Sequence, residues 1–320
     1  MITTAGIETL SFEEAVARIA AAEDFQELGE RRAYRKWAKL VHPDTVGAAR
    51  RATATNAFAK LANLYKGAGQ APVLHGRRRS YRMDRVHASG DLAELYADGA
   101  VLIKVPRSPR DNDLMETETA SLRRLWSDGD PKFRPYAPRL VESFVYEDET
   151  RRRRRVNVLE RQAGMISLAE IRRPLDPRDA AWMWRRLLTA LGWAHRAGVT
   201  HGAVLPEHVL IHPEEHGLAL VDWCYAGHRP AAIVKARLSD YPPEVRNDRL
   251  AGPATDIYMA TGLMARLIGP GMPAPMRRFA AGCMYDAPRM RPQDAWALLG
   301  EFDELIHRLY GPRKFRPFVP

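Results

Sequence analysis

Between residues 11 and 66 the chain carries a single proline, Pro43, in a stretch dominated by Ala, Leu, Glu, Lys and Arg. These residues favour helix and only Pro43 interrupts them, so helices are expected on both sides of it. The composition then changes. The segment KGAGQAPVLHGRRRS, residues 66 to 80, gathers Gly67, Gly69, Pro72 and Gly76 and reads as a linker. From about residue 81 to 160, short apolar runs such as VLIKV and VNVLE read as strands around one helical stretch, DNDLMETETASLRRLW. From about residue 178 onward the periodic segments are helical. The expected organisation is therefore a helical domain at 1–66, a linker at 67–80 and an α+β domain at 81–320, its strand-rich part preceding its helix-rich part. A length of 320 residues accommodates two such cores.

A formal net charge of +10 favours acidic partners: nucleic acid, nucleotide phosphates or acidic protein faces. With only Cys224 and Cys283 present, a disulfide framework and a Cys-rich zinc site are both excluded, which suits a reducing compartment. The start, MITTAGIETLSFEE, has neither the basic opening nor the apolar run of a signal peptide, and no stretch reads as a membrane span. The expected location is the cytoplasm.

In RRAYRKWAKLV, residues 31 to 41, Tyr34, Trp37, Ala38 and Val41 recur at i, i+3, i+4 and i+7, one face of a helix. Arg32, Arg35, Lys36 and Lys39 repeat that spacing two residues earlier, about 200° around the axis, as a solvated basic stripe. After His42, Pro43 and Asp44, a second helix carries Phe58, Leu61, Ala62 and Tyr65 at the same spacing. Upstream, SFEEAVARIAAA could add a first packing helix through Phe12, Val16 and Ile19. The pieces AYRKWAKLVHPD and AFAKLANLY together resemble the J domain of DnaJ-type co-chaperones. That resemblance implies that His42, Pro43 and Asp44 stimulate ATP hydrolysis by a DnaK-type chaperone. It also implies that the basic face of Arg32, Arg35, Lys36 and Lys39 docks on that partner's acidic surface. The first helix departs from the family, since its usual Tyr-and-Gly ending is missing.

A second set of ordered pieces spans roughly residues 81 to 310. Lys104 sits in VLIKV; Glu118 heads a helix with Leu122 and Leu125 at i+4 and i+7; VLERQAGMISL follows, then HRAGVTHGAVLPEHVLI, LVDWCYAG, YPPEV, DIYMATG and RMRPQDA. In this order they resemble the protein-kinase superfamily, whose fold has two lobes. The resemblance implies that Lys104 holds nucleotide phosphates and pairs with Glu118, with Glu116 as the alternative partner. It implies that Glu160 and Arg161 offer backbone groups to an adenine, that Gly90 belongs to the phosphate loop, and that Asp222 binds metal. Glu244, Asp256 and Arg291 fall on structural anchors. ATP and Mg2+ are the implied ligands.

The departures from that pattern set the functional expectation. The family's catalytic loop places an aspartate two residues after a histidine, but His201 is followed by Gly202 and Ala203. A methyl group accepts no proton, and general-base assistance is worth about 10² to 10⁴ in rate. Leu205 stands at the family's phosphate-contacting lysine and His208 at its second-metal asparagine, while ASGDLAELY keeps only Gly90 of the phosphate loop. The expected function is a J-domain co-chaperone or adaptor with an inactive kinase-like domain that binds a protein client or nucleotide. The alternatives are an atypical kinase or nucleotidyl transferase using Glu207 or His208 as base, and a nucleic-acid-associated basic protein. The histidines between 195 and 216 match no zinc spacing. The run Arg151 to Arg155 follows YEDET, so cross-strand pairing of the two is expected.

Overall fold

A computed structural model describes residues 7, 9–23, 25–29, 33–68, 73–84, 86–148 and 151–320. The chain mixes helix and sheet and divides into two compact units. One comprises Met1–Leu74 with Tyr81–Arg85, the other His75–Ser80 with Val86–Pro320. Among the described residues no helix is long and apolar enough to cross a membrane.

In the first unit, α1 (Phe12–Ala21) starts at Ser11, whose hydroxyl accepts the Glu14 N–H while the Glu14 carboxylate accepts the Ser11 N–H, a reciprocal cap. Ala15 and Ile19 of α1 are fully buried, with Phe12 and Val16 half-buried beside them. Helix α2 (Tyr34–Leu40) and helix α3 (Arg51–Ala68) run antiparallel. Tyr34 stacks on Tyr65 at one end, with ring centroids 4.0 Å apart, and His42 meets the Phe58 ring edge-on at the other. Trp37 centres this core; it is fully buried, and its indole N–H donates to the Leu28 carbonyl at 2.7 Å. The α3 stripe is wider than Phe58, Leu61, Ala62 and Tyr65. Ala54 and Ala57, two turns and one turn before Leu61, are buried as well, because small side chains let the neighbouring helices close over them. Arg32, which completes the predicted basic stripe, lies outside the described residues.

Among the described residues, both ends of the segment expected to be a linker carry secondary structure. Helix α3 continues to Ala68, and strands β1 (Val73–His75) and β2 (Ser80–Arg82) form a hairpin through which the division between units passes. Gly76 N–H closes its turn on the Arg79 carbonyl, and the Arg77 N–H donates to the Glu142 carboxylate at 2.8 Å. Gly76 thus serves a turn, not slack chain.

The second unit begins with a five-stranded antiparallel sheet ordered β3-β4-β5-β7-β6, from β3 (Val86–Ser89), β4 (Ala93–Asp98), β5 (Val101–Pro106), β6 (Leu140–Glu147) and β7 (Arg153–Glu160). Helix α4 (Asn112–Asp128) packs on it and buries Met115, Glu118, Leu122 and Leu125 along one face. A small sheet of β8 (Ile166–Ser167), β9 (Val209–His212) and β10 (Gly217–Leu220) follows. The remainder is helical: α5 (Pro177–Arg196), α6 (Pro243–Asp248), α7 (Pro253–Ile268), α8 (Ala274–Cys283) and α9 (Ala295–Tyr310). Helix α5 is the central member, packing on α7, α9 and β10. Its Trp184 lies against Phe302 and Phe279 at 4.7 and 5.5 Å between ring centroids. One continuous apolar core joins α4 and β10 to these helices.

Candidate functional site

Lys104 stands near the middle of β5, the central strand, so its side chain leaves the sheet into the core at 3% exposure. An ammonium has three N–H donors and needs three acceptors when water is excluded. It finds Glu118 Oε1 at 2.9 Å, Asp222 Oδ1 at 2.6 Å and Cys224 Sγ at 3.1 Å. Burial alone would lower the Lys104 pKa, but Asp222, Cys224 and Glu118 more than reverse that and hold it well above the ordinary range. Glu118 is fixed from its other side: Asn157 Nδ2 donates to Glu118 Oε2 at 2.9 Å, and Thr119 donates to Asn157 Oδ1. Glu118 is therefore the partner of Lys104. Glu116 points outward and pairs with Arg155 at 2.7 Å.

Asp222 sits in the left-handed region, φ 64° and ψ 56°, directly after β10, a conformation a short polar side chain tolerates. Its Oδ1 faces Lys104 and its Oδ2 faces His208 Nε2 at 3.2 Å. The second ring nitrogen of His208, Nδ1, donates to the Ala203 carbonyl at 2.9 Å. Both nitrogens of His208 thus meet acceptors, which is the pattern of an imidazolium. Burial works against that charge, yet Asp222 prevails and raises its pKa. His201 has the opposite pattern. Nδ1 accepts the Ala203 N–H at 3.3 Å, so Nε2 is the donor, to the Val221 carbonyl at 3.0 Å. A neutral ring fits these partners, and burial holds the His201 pKa down at about 4.

These assignments settle what the loop can do chemically. Ala203 is fully buried with its methyl in the core, and its backbone serves the two histidines. His208 has no free nitrogen to act as a base, and Glu207 is paired with Arg237. Among the described residues, Glu118, Asp222 and Cys224 place potential metal ligands within 4.8 Å of one another. The Lys104 ammonium contacts all three, so a divalent ion would have to displace it. In this arrangement the residues do not fit Mg2+ and a nucleotide triphosphate: every Lys104 proton is taken, and each Asp222 oxygen faces a cation.

The remaining positions expected to meet a nucleotide are also engaged within the chain. The Gly90 N–H closes the β3–β4 turn on the Ala93 carbonyl, and a Cβ at Gly90 would meet nothing closer than 3.5 Å, so no close approach demands glycine there. The Arg161 N–H donates to the Ala100 carbonyl and the Glu160 N–H to the Arg139 carbonyl, which withdraws both donors from an adenine. Asp91, beside Gly90, accepts the Tyr225 hydroxyl at 2.7 Å and ties the turn to the segment after Asp222. The sequence assigns no site role to Asn157 or Tyr225, and none to Cys224 as a partner of Lys104. The asparagine was signalled only as a polar residue inside the apolar run VNVLE.

Gly202 is needed as glycine, since φ is +75° and a Cβ would lie 2.6 Å from the Tyr225 carbonyl. Asp256 accepts the N–H groups of His201 and Gly202, each at 2.8 Å, and lies 2.8 Å from His195 Nε2, so it holds the loop's backbone. Glu244 and Arg291 form a two-pronged pair at 2.6 and 3.0 Å. Much of the arginine run is paired: Arg153 stands opposite Glu147, Arg154 contacts Asp148 at 3.4 Å, and Arg155 binds Glu116.

In the first unit, His42 caps a short turn, Pro43–Thr45: its Nδ1 accepts the Asp44 N–H at 3.2 Å and its carbonyl accepts the Thr45 N–H at 3.0 Å. The imidazole leans on Phe58, and the Asp44 side chain stands 86% exposed. On α2, Arg35 and Lys39 are exposed and Lys36 is half-buried.

Two outcomes follow for the second unit, which holds six of the seven tryptophans and can be followed by their emission. Lys104→Met leaves the buried Glu118 carboxylate and the half-buried Asp222 carboxylate against one imidazolium and should lower stability by about 3–5 kcal/mol. Adding Glu118→Gln should recover part of that loss; additive losses would contradict the network. For His201, the unfolded chain binds a proton between pH 6.5 and about 4 that the folded chain refuses, so stability rises with pH across this window by about 3 kcal/mol. His208 contributes in the opposite sense, its stabilisation being present at low pH and lost as pH rises through its raised pKa. Denaturation curves of wild type and His201→Gln should therefore diverge across the window, and parallel curves would refute the neutral assignment. Compared with protein-family models and with curated proteins, the chain gives no match.

Proposed function

We propose that this chain is a cytoplasmic co-chaperone or adaptor in which a J-domain-like unit recruits a DnaK-type ATPase and a two-lobed protein-kinase-like unit holds a protein client without transferring phosphate. The observation that carries the first half is the His42–Pro43–Asp44 turn. Its histidine is used internally to brace the turn, and its aspartate is presented to solvent beside a cationic helix. Such a surface attracts an acidic partner and offers one fixed carboxylate to it. A sheet with one packed helix followed by a helical remainder supports the kinase-like reading of the second unit. The absence of phosphotransfer rests on Ala203, where the resemblance places a proton acceptor, and on the closed set Lys104, Glu118, Asp222 and His208. The alternative of an atypical base at His208 or Glu207 is disfavoured, because both side chains are committed to ion pairs.

The test is ATP turnover by a DnaK-type chaperone in the presence of this protein. Wild type should stimulate it, His42→Gln should lose most of the stimulation, and Lys39→Glu should raise the concentration needed and its sensitivity to salt. Equal stimulation by wild type and His42→Gln would refute the first half. ATP with Mg2+ should give no thermal shift, whereas a ligand at 100 times its Kd would add about 2.7 kcal/mol. A clear shift would refute the closed-site half.

A further inference from the structure

The connection that follows His42, from Pro43 to Arg50, has no buried residue. Thr45, Val46 and Gly47 border a cavity of about 610 Å³ whose other walls include Phe12, Lys36, Lys39 and Leu40. With so little apolar contact, the course of this stretch is set by polar contacts at its two ends.

Arg50 anchors the far end. Its guanidinium lies over the Phe12 ring, 5.4 Å from the centroid, and reaches the Glu13 carboxylate at 2.6 Å, while its N–H donates to the Gly47 carbonyl at 2.9 Å. Thr45 anchors the near end. Its hydroxyl donates to the His42 carbonyl at 2.9 Å, and its N–H donates to the same oxygen at 3.0 Å. The Lys39 carbonyl, in the last turn of α2, lies 3.5 Å from that hydroxyl, a second and longer contact. One residue thus supplies two donors to the His42 carbonyl, as many as its lone pairs accept, and sits against the end of the helix. Thr45 does not cap α3, whose first residue is Arg51.

Pro43 has no N–H to give, and the Asp44 N–H is taken by His42 Nδ1 at 3.2 Å. Among the described residues the Asp44 carboxylate has no hydrogen bond, since His42 Nδ1 is 3.9 Å from it. The direction of the carboxylate is therefore set by the backbone of residues 42 to 45. Of the described side chains, those of His42 and Thr45 are the ones that bond to that backbone.

We propose that Thr45 is a positioning residue for the Asp44 carboxylate, its hydroxyl holding the turn in the shape that presents this group. The assignment rests on the reading of His42, Pro43 and Asp44 as the element that acts on a DnaK-type ATPase, and adds the residue that fixes it. One net hydrogen bond shifts a local opening equilibrium by about fivefold, and a turn without buried residues has little else to resist opening. The Thr45 side chain also borders the cavity, so its shape has to be separated from its hydroxyl. Thr45→Val keeps the branched shape and removes the donor, whereas Thr45→Ser keeps the donor and removes the methyl.

Amide exchange measured by NMR on the full chain, together with the ATP turnover of a DnaK-type chaperone, tests the assignment. Thr45→Val should speed exchange of the Asp44 and Thr45 amides by about fivefold. Docking rests on the basic face of α2 and stimulation on the turn. Maximal stimulation should therefore fall at least about twofold, because fewer molecules hold the competent turn, with little change in the concentration that gives half the maximum. Thr45→Ser should match wild type in both measurements. Unchanged exchange in Thr45→Val overturns the proposal, as does faster exchange with full stimulation, or a Thr45→Ser protein as impaired as Thr45→Val. If wild type itself gives no stimulation, the co-chaperone reading falls, and the exchange rates alone decide whether the hydroxyl fixes the turn.

Discussion

The ammonium of Lys104 fixes the interior of the second unit. It joins β5, α4 and the segment after β10 through three contacts of 2.6 to 3.1 Å, in a place that water does not reach. A buried charge is tolerable only when neutralised and fully hydrogen-bonded. Two cations, Lys104 and His208, therefore stand against two anions, Glu118 and Asp222, and Asn157 satisfies the remaining oxygen of Glu118. Residues that would carry phosphate and metal chemistry in a phosphotransferase here spend their bonds on one another. In this arrangement each of these groups is satisfied within the chain, and the pairs tie the strand, the helix and the segment after β10 together.

His201 and His208 show how neighbouring identical side chains acquire opposite states from the partners around them. His208 faces two acceptors, so its charged form is the one that bonds fully. His201 faces one acceptor and one donor, both from backbone, so its neutral form is the one that bonds fully. The Ala203 peptide supplies a group to each ring, with its carbonyl toward His208 and its N–H toward His201. The loop's polarity is thus directed inward, and its buried methyl adds only packing.

Much of the organisation could be read before the coordinates. Tyr34, Trp37 and Val41 share a packed face because a 3.6-residue period leaves them no other choice, and Leu122 and Leu125 place Glu118 on the buried side of α4 for the same reason. The Lys104–Glu118 pair was legible only through the resemblance, which left Glu116 as an alternative; periodicity alone puts Glu118 on the buried side of α4 and names no partner for it. What stayed hidden involves partners distant in sequence. Nothing local to Asp222 shows that His208 claims its second oxygen, nothing near Gly90 shows that Asp91 reaches Tyr225, and nothing in VLERQ shows that Ala100 takes the Arg161 N–H. The hairpin of residues 73–82 is not legible in the sequence, because Gly and Pro mark tight turns and loose linkers alike.

The two units place their uncommitted polar groups differently. In the first, the reactive-looking carboxylate of Asp44 is fully presented to solvent, while its neighbour His42 is spent on bracing the turn. In the second, Lys104, Glu118, Asp222 and His208 are satisfied by one another and by their neighbours, and the buried side-chain atoms without a hydrogen-bond partner among the described residues are dispersed, from Trp126 and Arg154 to Thr261 and Trp296. The C-terminal segment is docked: Phe318 is buried, Arg316 reaches Asp176 at 3.5 Å, and Arg173 bonds the Val319 carbonyl.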